Sequence, residues 1–96
     1  MSKTLQEAVD HLAARKDIAA YLRRRGVKGR RGKACDCPVA NYLKAEGIED
    51  PTVTYQGAKS WGGTAVVERV AFPPVITQFI GNFDTGEYPY LLEGQS

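Results

Sequence analysis

Residues 21–47, YLRRRGVKGRRGKACDCPVANYLKAEG, carry most of the unusual chemistry of this 96-residue chain and decide how its parts are joined. The stretch closes one helix, passes through a glycine-rich basic loop at 26–37, and opens a second helix at Cys37-Pro38. Arg23, Arg24 and Arg25 place positive charge at the negative end of the first helix dipole, and Gly26 suits a left-handed cap. Pro38 has no N–H to leave unsatisfied, so it fits the first helical position. Val39, Tyr42 and Leu43 give the second helix an apolar face, Ala40 and Ala45 allow close approach, and Gly47 ends it.

Upstream, residues 4–25 read as one helix. Thr4 and Glu7 have the spacing of a capping box, in which hydroxyl and carboxylate each accept from a free backbone N–H. Leu5, Ala8, Val9, Leu12, Ala19 and Leu22 form one stripe at helical spacing. Ile18 and Tyr21 lie off its centre, which suggests a bend near Lys16-Asp17. His11, the single histidine, reads as a partly exposed side chain on this helix.

Downstream of Glu49-Asp50-Pro51 the period changes to two. Val53 and Tyr55 alternate with Thr52, Thr54 and Gln56, the pattern of a half-buried strand. A glycine-rich turn region at 57–63 leads into a second strand at 64–72, dense in β-branched residues. Pro73-Pro74 stops that strand and opens a third helix, in which Val75, Ile76, Phe79, Ile80 and Phe83 are assigned to a core face. The tail from Glu87 packs down through Tyr88, Pro89, Tyr90, Leu91 and Leu92. The expectation is a small α+β single domain over residues 1–96, order α-α-β-β-α, with helices packed on a two-stranded antiparallel hairpin. Residues 1–3 and 94–96 are expected to fray.

The net charge of +2 conceals an asymmetry. Seven of the eleven residues from Arg23 to Lys33 are basic and none is acidic; the rest of the chain carries six basic against eleven acidic residues, a net of −5. A basic patch on an acidic body points to contact with an anionic partner. Arg23, Arg24, Arg25, Lys28, Arg30, Arg31 and Lys33 are therefore the candidate contact residues for a macromolecule or phosphate. The competing reading is a solvated loop. No aromatic residue lies between Arg23 and Ala40 to add the stacking by which single strands are gripped.

Cys35 and Cys37 are too close in sequence for an unstrained bridge, which favours a reduced, cytoplasmic chain. The segment MSKTLQEAVDHL lacks the apolar run of a signal peptide, and no apolar stretch reaches membrane-spanning length. Cys37, before a helix N-terminus and near several arginines, is a candidate reactive thiol with a lowered pKa. No base is placed beside it, however, and Cys35, Asp36, Cys37 and His11 make an incomplete zinc set. The competing reading makes one cysteine a small buried hydrophobe. Trp61, in a glycine-rich turn, is either tucked over the sheet edge or a candidate anchor for a partner. Walker A, GxSxG and HExxH strings are absent, and Glu49-Asp50 beside Pro51 reads as loop chemistry. No metal, cofactor or catalytic residue is assigned.

Two resemblances bear on these residues. Gly29-Arg30-Arg31-Gly32 resembles the GxxG turn of KH domains, which joins two helices and clamps a nucleotide backbone. The first strand of that fold is missing here, and the second helix starts about five residues late. More broadly, Tyr21-Leu22-Arg23, the Arg/Gly loop and Cys37-Pro38-Val39-Ala40-Asn41-Tyr42-Leu43 look similar to small proteins of actinobacteria and their phages. That resemblance implies a cytoplasmic accessory protein, phage-encoded in some cases, and supplies no catalytic residue. The reading is a non-enzymatic protein that binds another macromolecule, with a protein partner first and self-association as a variant. The alternative is a nucleic-acid or phosphate binder using the basic loop, and the second alternative a cysteine-dependent enzyme or redox switch.

Overall fold

The capping box expected at Thr4 is the first feature of the computed structural model, which describes residues 4–30 and 36–92. The Glu7 N–H donates to Thr4 Oγ1 at 3.2 Å and the Thr4 N–H to Glu7 Oε1 at 3.1 Å, opening α1 (Leu5–Ala13). The helix does not continue to Arg25. Asp17 accepts from the Ala20 N–H at 3.0 Å and starts a separate helix, α2 (Ile18–Arg24). The expected bend is thus a full break. The new helix is freed from the phase of α1, so Ile18 and Tyr21, off the α1 stripe, are both buried.

As expected, α3 (Pro38–Ala45) begins with Pro38 in its first turn. Among the described residues three strands follow rather than two: β1 (Pro51–Val53), β2 (Gly57–Gly62) and β3 (Ala65–Ala71). They form one antiparallel sheet in the order β1-β2-β3. The stretch expected to be a turn, 57–63, supplies the central strand, and Tyr55, expected in a strand, lies half exposed between β1 and β2. Glycine reads as loop, but here Gly57 pairs with Ala71 at a place where any Cβ would overlap the Val70 carbonyl oxygen. It serves close strand approach rather than a turn.

After Pro73, α4 (Pro74–Asp84) buries Ile76, Phe79, Ile80 and Phe83. Val75 belongs to the neighbouring face and is 41% exposed, a correction to its core assignment. The element order among the described residues is therefore α-α-α-β-β-β-α, closed by a 3₁₀ turn at Pro89–Leu91. The fold is α+β, but neither the expected order nor the two-stranded hairpin holds.

The helices cover one face of the sheet. Inward-facing Val53, Ala58 and Val70 meet Leu5, Leu12, Tyr42, Leu43 and Phe83 in a continuous core. Glu68 ties α1 to the sheet: its two carboxylate oxygens accept from the Leu5 N–H (2.9 Å) and the Gln6 N–H (3.3 Å). A carboxylate at a helix N-terminus satisfies free donors and complements the dipole. The tail closes the far side, with Leu91 fully buried and Tyr88 stacked on Phe79 at 5.2 Å.

Candidate binding surface

The basic segment is divided by the fold. Arg25 is engaged internally: its guanidinium donates to Glu46 (2.9 Å) and to the Tyr21 hydroxyl (2.8 Å), and it lies near the Tyr21 and Tyr42 rings. It joins α2 to α3. Arg23 lies 5.0 Å over the Tyr90 ring, an aromatic partner brought from the tail. Arg30 pairs loosely with Asp36 at 3.5 Å, both well exposed. Arg24 and Lys28 are exposed and make no ion pair among the described residues. Arg31, Lys33 and Cys35 lie outside the described residues.

The loop's described base is tightly closed. The Arg30 N–H donates to the Asp36 carbonyl at 2.7 Å, and the Asn41 amide donates to the carbonyls of Lys28 and Asp36. Gly29 is buried against the start of α3, where a Cβ would overlap the Pro38 nitrogen. Its own N–H donates to the Leu91 carbonyl at 2.8 Å. Position 29 therefore needs glycine for packing inside the protein, whatever the loop beyond it touches.

Cys37 is 6% exposed, and its Sγ accepts from the Ala40 N–H at 3.4 Å, so the side chain caps α3. The lowered pKa expected for it is reversed. Burial pushes the thiol up, outweighing the backbone N–H groups that pull it down. A protonated thiol at a buried helix cap is a poor nucleophile. Among the described residues, no three His, Cys, Asp or Glu side chains group so as to hold a metal ion. Nor is any helix there long and apolar enough to cross a membrane. His11 is half-buried, with Nε2 2.6 Å from the Arg15 guanidinium and its ring edge-on to Tyr21.

The surface that sequence reasoning missed is the sheet face turned away from the helices. Alternation along β2 sends Ala58 and Ser60 into the protein, with the Ser60 hydroxyl donating to the Glu49 carbonyl at 2.8 Å. Lys59 and Trp61 therefore face outward. The register sets Thr52, Lys59 and Arg69 side by side across the three strands. Together with Trp61, Thr54 and Ala71 they line an open groove of about 380 Å³. Trp61 lies within β2, half-buried at one end of this groove, rather than over a hairpin tip. A register shift between Ser60 and Trp61 sets the tryptophan opposite Val66.

Among the described residues, no carboxylate lines the groove. Glu68, the acidic residue of β3, points to the other face and is held by α1. Lys59 and Arg69 are exposed and directly paired, with no ion-pair partner among the described residues. Reading 57–62 as a strand would have placed Lys59 and Trp61 on one face, but pairing Lys59 with Arg69 needs the register of a hairpin that the glycines disguise.

No family model, curated protein or solved structure matches the chain.

Proposed function

We propose that this chain is a non-catalytic binding protein, and that the open face of its sheet is the contact surface for an anionic macromolecular partner. The juxtaposition of Lys59 and Arg69 beside Trp61 carries the reading. Like charges directly opposite on one sheet face destabilise it, and among the described residues no carboxylate in the groove offsets them. A partner that brings negative charge removes that repulsion as it binds. Trp61 adds a large, rigid, partly exposed surface of the kind that anchors interfaces.

The test is the salt needed to elute the protein from an immobilised polyanion such as heparin. Lys59→Glu combined with Arg69→Glu should lower the elution salt clearly while leaving the circular dichroism spectrum intact. An unchanged elution salt would remove the sheet face from consideration. A second reading, contact through the basic segment, is favoured by the exposure of Arg24 and Lys28 without carboxylate partners. It predicts the converse: Arg24→Glu with Lys28→Glu abolishes retention and the sheet variants do not.

A further inference from the structure

We infer that the groove on the open sheet face takes a single-stranded nucleic acid, one base stacking on Trp61 and the neighbouring phosphates meeting Lys59 and Arg69. The inference rests on the binding role proposed above and narrows it to one class of partner.

Three features of the groove favour this occupant. Its charge is positive: two cations stand side by side, and among the described residues no acid lines it. An aromatic ring lies at one end, partly exposed, beyond the strand step that carries the lysine. Residues two apart on one strand face are separated by ~6.6 Å, which one extended nucleotide bridges, so phosphate and base can be met together. On the side of the cations away from Trp61 the groove is lined by small or uncharged residues, Thr54, Gly57 and Ala71 among them. From Gly57 to Trp61 the strand covers ~13 Å, room for about two nucleotides.

The same features disfavour other polyanions. A duplex keeps its bases stacked within, so it offers the indole no free base face. An acidic peptide satisfies the cations but places a planar ring in register with its charges only where its sequence supplies an aromatic residue at that spacing, whereas every nucleotide carries both. A single strand presents both, and a positive groove with an aromatic platform is the combination that binds it without demanding a particular sequence.

The chain has one tryptophan, so its intrinsic fluorescence reports the groove directly. The experiment titrates the whole protein with labelled (dT)12 and (rU)12, a 12-base-pair duplex and polyglutamate, following label anisotropy and tryptophan emission as salt is varied. Both single strands should bind and quench the emission, more tightly than duplex or polyglutamate; their ranking assigns DNA or RNA. Two phosphate contacts give a slope of about −1.4 in log affinity against log salt, and Lys59→Gln with Arg69→Gln should flatten the measured slope by about that amount. Trp61→Leu should weaken binding about 5- to 150-fold, whereas Trp61→Phe, which keeps a ring, should lose far less. A melting curve for each variant separates lost binding from lost fold, and Trp61→Phe keeps the test available if Trp61→Leu unfolds.

Polyglutamate binding as tightly as the single strands, indifferent to Trp61 but sensitive to Lys59 and Arg69, would overturn the nucleic-acid inference and leave an acidic protein as partner. No binding of any polyanion that depends on Lys59 and Arg69 would overturn both this inference and the function proposed above.

Discussion

At Cys37 one sulfur atom meets two conditions, a helix N-terminus that needs an acceptor and a buried site that disfavours charge. Its place before Pro38 marks the helix start, and its sulfur does cap α3. Its acidity, however, is governed by burial. A thiol whose folded pKa is raised holds its proton more tightly in the folded chain than in the unfolded one. The resulting stability is complete below the ordinary thiol pKa of about 8.5 and is lost as pH rises through the folded value. The urea midpoint should therefore fall as pH rises above about 8.5, and Cys37→Ser should flatten that fall, because the serine hydroxyl can still accept from Ala40. Equal pH profiles for the two proteins would mean that the thiol is not shielded. Arg25 makes a similar point about charge. Its side chain is about a third exposed (35%), so the bond to Glu46 contributes no more than about 1 kcal/mol. A double-mutant cycle on Arg25 and Glu46 should return a coupling of that size. Arg25 then contributes to the fold by tying α2 to α3.

At the scale of elements, α4 and β2 respond differently to substitution. Phe79 is 5% exposed and stacked on Tyr88, so Phe79→Ala opens a cavity and should cost about 3–5 kcal/mol in chemical denaturation. Val75, one residue before Ile76 and much more exposed, should tolerate alanine with little change. Equal losses at the two positions would mean that the exposed face of α4 is covered. In β2 the sensitive residue is the one with no side chain. Gly57→Ala would press a methyl against the backbone of Val70, which has no flexible end to move aside. The expected loss is about 1–3 kcal/mol, read from the same denaturation curve.

For the molecule as a whole, what the sequence disclosed and what it hid divide along chain distance. Thr4 with Glu7, Cys37 with Pro38, and the apolar face of α4 are signals contained within one or two helical turns, and each appears where expected except for Val75 at the edge of that face. The central strand was hidden because Gly57 and Gly62 answer to residues on β3, not to their own neighbours. The groove was hidden for the same reason: Lys59 and Arg69 are ten positions apart, and only the register brings them together. Helices on one face of a three-stranded sheet supply a core through apolar packing. The thermal transition should accordingly be unchanged by EDTA, whereas a zinc-dependent fold would lose it.

The clasp between Gly29 and the Leu91 carbonyl has a consequence in time. A chain is synthesised in one direction, and residue 91 is added 62 positions after residue 29. At 5–20 residues per second that interval is about 3–12 s, long beside the folding time of many small domains. While the ribosome works through the strands and α4, the base of the basic loop lacks its last hydrogen-bond partner. The loop that carries the densest positive charge in the protein is thus the last to be fastened. A nascent chain halted before Leu91 should present it to the charged surroundings of the ribosome with that clasp still open.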